Sequence, residues 1–408
     1  MVQARVRRND ARILAAALQL LADEGWAGLS LAHVGRAAGL SIRPVRDRFV
    51  DRGALAAAVW QDSAGPALRE ALSRCLVAAG LLPAQEGIPA EGLADGDVPA
   101  LEAALDALAR PDIPLRAAAD LAVLASFDAK IRAVVAESVG AAIARWVSLQ
   151  DAGSAERAAK RAYLLALGLG LLAAAHRPRI DNLDLHPVWR RYAKVLADDR
   201  SPTRLPIEPR PAHITVVPFD TGDDITDALL RAALDHLAES GYEGAVLTDL
   251  VRTAGYSEGT VFARYPSKEA LFLDAIKRNQ DIAMPGQREY LQRMETKHGV
   301  GVAEAVAIRD AMRPQERRAC VIDIEHTRMT WHNPALAEVE EQRLQALAAQ
   351  VLAQEPDHPD FADPANMHVA RAMGLGISFL PLLVDNAWDL PFDVVTVPLA
   401  ELTYVQDT

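Results

Sequence analysis

The sequence predicts an all-α fold made of two similar helical halves, and three observations carry that expectation. Half of its 408 residues are hydrophobic and only 5% are aromatic, with Ala and Leu dominant, which suits a helix-rich chain with ample core. Apolar residues recur at helical spacing, as in Leu14, Ala17, Leu18 and Leu21, and again in Leu230, Ala233, Leu234 and Leu237. Shifted by 216 residues, positions 12–55 fall on 228–271 without a gap and share 17 identities in 44 positions. Pairs such as Gly25/Gly241, Gly39/Gly255, Ser41/Ser257 and Arg48/Arg264 do not arise from Ala/Leu bias.

In chain order, residues 2–8 are a basic arm (Arg5, Arg7, Arg8) suited either to phosphates or to a solubilising end. Asn9 or Asp10 can cap a first helix to about Glu24, and Ser30 a second through Ala38. Ser41 can cap a short helix, Ile42–Phe49, in which Pro44 falls in the first turn, where a missing amide hydrogen costs little. Asp51 can cap a long helix from Arg52, kinked or broken near Gly65-Pro66. Residues 80–99 read as a loop, followed by helices near 100–109, 114–126, 128–148, 154–176 and 186–197. Five prolines mark 198–220 as an extended linker.

The second half repeats the scheme. Ser257 and Ser267 can cap successive helices, and a connecting helix is expected to stop near 283, ahead of Pro285. Helices are expected at 286–297, 301–311, 315–330, 334–354 and 364–384, then an extended tail over 386–408. Ile214–Val217 and Val394–Val397 both have strand composition and could pair as a small ribbon.

The stretch Ala254, Gly255, Tyr256, Ser257, Gly259, Thr260, Val261, Phe262, Arg264, Tyr265, Ser267, Lys268, Glu269, Leu271 resembles the DNA-binding head of tetracycline-repressor (TetR) family regulators. The first copy departs from that pattern: Arg43-Pro44 replaces Gly-Thr, Arg46 replaces Tyr, and Arg52-Gly53 replaces Lys-Glu. The resemblance implies two fused TetR-like halves, each a helix-turn-helix head plus a helical body for effector binding and dimerisation. The heads would span 1–58 and 221–275 and the bodies 59–197 and 276–390, with a linker at 198–220 and a tail at 391–408. The implied function is a ligand-responsive, DNA-binding regulator, by family precedent a repressor, acting as an intramolecular pseudo-dimer that leaves further homodimerisation open. The alternative is a helical effector-binding or protein-interaction module in which one or both heads no longer bind DNA.

Carried over position by position, the resemblance places Ser41, Ile42, Arg43, Pro44, Arg46 and Asp47 on the first recognition helix. Ser257, Glu258, Gly259, Thr260, Phe262 and Ala263 take that place in the second, and Arg48, Arg52, Arg264 and Lys268 stand at phosphate positions. Arg43 and Arg46 suit guanine edges, whereas Thr260 and Phe262 suit a thymine methyl. Unlike heads imply an asymmetric operator rather than a palindrome. An effector pocket is implied in each body, with Trp146, Tyr163 and His176 as candidates in the first and Met329, Trp331 and Arg371 in the second. An unpaired buried arginine is costly, so Arg371 should meet an acidic ligand or a carboxylate such as Asp323 or Glu325. The family's last body helices form the subunit interface, which places 154–176 against 364–384.

The net charge of −12 excludes a generally nucleic-acid-binding surface, so basic residues must be concentrated locally. Residues 1–60 hold nine Arg against five acids, while 220–275 hold four basic residues against eleven acidic ones. Six Lys against 37 Arg point to a high-GC bacterial genome. Cys75 and Cys320 stand alone, as buried thiols in a reducing cytoplasm do. The N-terminus lacks the pattern of a signal peptide. The longest apolar run, Leu164–Ala175, is short of the roughly 20 residues of a membrane span. No catalytic or metal-binding signature is present, and neither a cofactor nor an enzymatic role is expected. Gly168-x-Gly170-x-x-Ala173 has dinucleotide-fingerprint spacing but sits mid-helix, where small residues let helices approach closely.

Overall fold

A computed structural model describes residues 2–83, 97–175, 180–197, 218–354, 356, 359–385 and 387–404. Most of the expected loop at 80–99, nearly all of the linker at 198–220, Ile214–Val217, His176 and the chain beyond 404 lie outside these residues. The fold is all-α, with no strand among the described residues.

The first head comprises α1 (Val2–Gly28), α2 (Leu31–Ala37) and α3 (Ile42–Arg46). Helices α4 (Arg52–Val59) and α5 (Gly65–Ala78) follow, joined by a π-helical turn at Trp60–Ala64. The first body continues with α6 (Val98–Ala109), α7 (Ile113–Leu124), α8 (Ala129–Val135), α9 (Ala141–Trp146), α10 (Leu149–Ala152), α11 (Ala155–Ala174) and α12 (His186–Leu196). The C-terminal half runs α13 (Asp224–Gly244), α14 (Leu247–Ala254), α15 (Glu258–Phe262), α16 (Lys268–His298), α17 (Val300–Ala311) and α18 (Arg317–Trp331). It ends with α19 (Pro334–Gln354), α20 (Pro359–Ala362), α21 (Pro364–Leu383) and α22 (Asp393–Tyr404).

Several local expectations are corrected. The first helix begins at Val2, so neither Asn9 nor Asp10 caps it, and Asp10 pairs with Arg48 instead. The break near Gly65-Pro66 is a π turn in which Trp60 Nε1 donates to Ser138 Oγ at 2.8 Å; the wider turn fits Pro66 at the start of α5. Helix α16 continues through Pro285. Asp281, Ile282 and Met284 are exposed there, so water can satisfy the carbonyl that the proline leaves without a donor. The tail is not extended: Val394–Val397 lies in α22, ruling out the ribbon. Its Val394, Val395, Leu399 and Ala400 are buried, and burial against a helical partner overrides β-branched propensity.

One large apolar core runs through the first head, the first body and the inner helices of the second half, including Leu21, Trp60, Leu172, Trp189, Phe379 and Phe392. The second head has a separate core, centred on Leu230, Leu237, Leu250, Val261, Leu271 and Phe272, which meets its body through Ile322 and Met329. The two halves join at the crossing of α11 and α21. A Cβ on Gly170 would stand 1.7 Å from the Ala372 carbonyl oxygen, and one on Gly376 would stand 1.7 Å from that of Ala166. Ala166-Leu-Gly168-Leu-Gly170 and Ala372-Met-Gly374-Leu-Gly376 are similar stretches 206 residues apart, and Gly170 and Gly376 in them serve backbone-to-backbone contact; the dinucleotide reading is excluded by the helical setting.

Candidate nucleic-acid interface

Both heads are assembled by the same local devices at positions 216 apart. Gly39 and Gly255 take φ +63° and +83°, a left-handed conformation that glycine adopts freely, and end α2 and α14. Leu40 N then donates to Gly35 O at 2.8 Å, and Tyr256 N to Val251 O at 2.8 Å. Val45 and Val261 are each fully buried and anchor the short helices α3 and α15 to the helices before them. The next helix is capped by Asp51, which accepts from Ala54 N at 2.8 Å, and by Ser267, which accepts from Ala270 N at 3.1 Å. Ser30 caps α2 by accepting from His33 N at 3.1 Å. Ser41 and Ser257 do not cap: neither side chain accepts an amide hydrogen, and Ser257 Oγ lies 3.1 Å from Thr260 Oγ1.

The outer faces of α3 and α15 differ. Arg43, Arg46 and Asp47 are exposed, with Ile42 and Pro44 half-buried, and neither arginine has a partner among the described residues. On the second head Glu258, Gly259, Phe262 and Ala263 are exposed and Thr260 is half-buried. Glu258 accepts from Thr248 Oγ1. Phe262 is 55% exposed, a large apolar side chain with no core to enter.

The four cations expected at phosphates all have partners inside their own heads. Arg48 pairs with Asp10, while Arg264 Nε reaches Asp223 Oδ2 at 2.9 Å and Thr226 Oγ1, the counterpart of Asp10, at 3.3 Å. The hydrogen bond from Arg264, then that from Thr226, holds the Asp223 carboxyl at about 2. Arg52 lies 4.3 Å over the Trp26 ring, and Lys268 lies 4.4 Å over Tyr242, its counterpart. The Lys268 ammonium is half-buried and donates to Tyr242 O, and burial lowers its pKa against the pull of Glu243 and Glu325. Lys268 therefore ties α16 to α13.

Each head also touches the opposite half through a glycine in positive φ. A Cβ on Gly25 would meet the His332 ring at 2.5 Å, and one on Gly241 would meet Phe127 and Glu325 at 2.8 Å. At the second head this junction is ionic. Arg328, only 4% exposed, donates to Glu325 at 2.7 and 2.8 Å, to Asp120 of the first body at 3.0 Å and to Glu243 of the head at 2.9 Å. Glu325 also accepts from Tyr242 N at 2.7 Å. Burial opposes the charge on Arg328, but Glu325, Asp120 and Glu243 together keep it firmly protonated. Burial, with Asp120 and Glu325 adding to it, pushes the Glu243 carboxyl up, against the pull of Arg328. The sequence reading missed this cluster, although Asp120 stands in an Ala/Leu run and Glu325 and Arg328 stand three apart on one helix face.

The candidate effector residues among the described ones do not converge. Trp146 is core, and its carbonyl accepts from Arg161 at 2.9 Å. Met329 packs on the second head, and Trp331 Nε1 donates to Ala173 O at 3.0 Å across the two halves. Arg371 is half-buried near Glu340 rather than beside Asp323 or Glu325; burial pushes Glu340 up, but His326, Arg343 and Arg371 draw it below the ordinary value. Asp323 instead accepts from Ser378, and Glu325 from Arg328. Among the described candidates, Tyr163 lines a cavity at the seam between the halves. A second cavity of about 490 Å³ lies in the first body between α5 and α6, lined by Ala67, Ala71, Ala104 and Ala107 with Arg74 and Arg110 beside them.

Residues 229–275 match the family model described as bacterial regulatory proteins, tetR family. The match supports a TetR-family regulator that binds DNA. It covers the second head from within α13 into α16 and none of the first head. No curated protein matches the chain. No described helix is long and apolar enough to cross a membrane, and no group of three or more metal-binding side chains occurs among the described residues. The matched stretch includes α15, the short helix after the Gly255 turn.

Proposed function

We propose that the chain is a ligand-responsive transcriptional repressor, a fused pseudo-dimer that reads an asymmetric operator with two unlike heads. The observation that carries this reading is the reciprocal contact at the α11–α21 crossing, where equivalent residues of the two halves meet as they do across a two-fold interface. The first head supplies Arg43 and Arg46, exposed and without partners among the described residues, for guanine O6 and N7. The second supplies Thr260 and Phe262 for methyl-bearing, less polar edges. The cavity of about 490 Å³ in the first body is of a size for a small effector. An effector there regulates only if it binds one arrangement of the heads better than the other.

The test is selection of binding sites from random DNA with the full chain, followed by footprinting of the selected site. Two unlike half-sites about one helical turn apart, the guanine-richer one contacted by the first head, are expected. A perfect palindrome would sink the reading. The absence of salt-sensitive binding would favour a protein-interaction module, a reading to which the acidic balance around the second head lends support.

A further inference from the structure

The seam between the halves holds a pocket of about 250 Å³, open to solvent beside the exposed Ala370 and Gly374 and lined by α11 and α12 of the first half and by α17, α21 and α22 of the second. An apolar cavity of about 150 Å³ is already large enough for benzene. The Tyr163 and Tyr192 rings, 6.1 Å apart at 31°, stand at one side, with Val369 and Met373 opposite. Such a lining takes a flat, apolar body.

Two features make the space selective. Gly374 lines the cavity, and a Cβ added to it would meet nothing within 4 Å. At its counterpart in the first half, Gly168, Leu108 and Leu72 already crowd the same position at 3.0 and 3.1 Å. The opening therefore belongs to one of two equivalent places. The second feature is charge. Arg191, half-buried in the lining, donates to Asn366 Oδ1, a neutral acceptor, and has no carboxylate partner among the described residues. Glu304 also lines the space but has an interaction of its own within the chain. A guanidinium with unused donors beside an apolar cavity recognises a carboxylate.

We propose that this seam binds a small aromatic monocarboxylate, its ring between the tyrosines and α21 and its carboxylate on Arg191. The proposal is independent of how the heads read DNA. It is tested by titration calorimetry on the full chain with phenylacetate, phenylacetamide and 2-phenylethylamine as probes. Phenylacetate is expected to bind, the neutral amide at least about tenfold more weakly, since a charge-assisted hydrogen bond is worth more than a neutral one, and the amine not at all. Gly374→Leu fills the space and should abolish binding while leaving the circular dichroism unchanged and the melting temperature no lower. Arg191→Gln should leave phenylacetate no better than phenylacetamide. No phenylacetate binding to the wild-type chain, undiminished binding to a folded Gly374→Leu chain, or the amine binding best, which would hand the charge selection to Glu304, each overturns the proposal.

Discussion

Gly170 and Gly376 face one another across α11 and α21, each set against the carbonyl of the residue four positions before the other, Ala372 and Ala166. The pairing is reciprocal and is made by backbone, so there is no side chain to repack. Gly376→Ala should therefore be destabilising by about 1–3 kcal/mol or more, through forced separation of the helices. Gly374→Ala, two residues away and facing open space, should instead stabilise by about 0.5–1 kcal/mol by helix propensity. Urea unfolding of both variants checks the contrast; equal effects would mean that the crossing is looser than described.

Arg43→Ala and Arg46→Ala should each weaken specific DNA binding by about 1–3 kcal/mol and leave the melting temperature unchanged, because neither side chain supports the fold. Fluorescence anisotropy on a selected site and on random duplex reads the difference. A fall in thermal stability would show that these arginines have structural partners after all.

Arg328→Met leaves the carboxylates of Asp120, Glu243 and Glu325 together without their cation. A loss of about 3–5 kcal/mol is expected, as for removal of one partner of a buried ion pair. Adding Glu243→Gln to that variant should recover part of the loss, which denaturation of the single and double variants measures.

The raised Glu243 carboxyl sets a sign for pH dependence. The folded state binds this proton more tightly than the unfolded state, so its contribution declines as pH rises from the ordinary carboxylate value through the raised one. Glu243→Gln should flatten that part of the stability–pH curve. A slope unchanged by the substitution would assign the proton to another group.

Asp223 gives the opposite sign. Its carboxyl lies at about 2, below the ordinary 3.8, so the stabilisation that it shares with Arg264 is lost as pH falls through that interval. In Arg264→Ala the Asp223 midpoint, followed by carboxyl NMR, should return toward 3.8.

The heads and most body helices were legible because their signals are local: apolar periodicity, Ser30, Asp51 and Ser267 as caps, and glycines where φ turns positive. What escaped depends on contacts distant in sequence. Val394–Val397 looked like a strand because its β-branched residues were read alone, although α12, at the equivalent place in the first half, was read as a helix. The contacts of Lys268 with the Tyr242 ring and carbonyl come from another helix and could not be read from its position. The candidate effector residues were chosen as aromatic or polar members of apolar runs, a pattern shared by core side chains such as Trp146 and interface ones such as Trp331.

The α11–α21 crossing also constrains how the molecule can move. Leu167, Leu169 and Leu171 flank the glycine contact on one helix, and Met373, Leu375 and Ile377 on the other. Sliding either helix along its axis would drive these side chains into the opposing backbone. The Gly25–His332 and Gly241–Phe127 contacts and the Arg328–Asp120 bond tie the halves together elsewhere, so the crossing is one of several joints that fix the spacing of the two helical units.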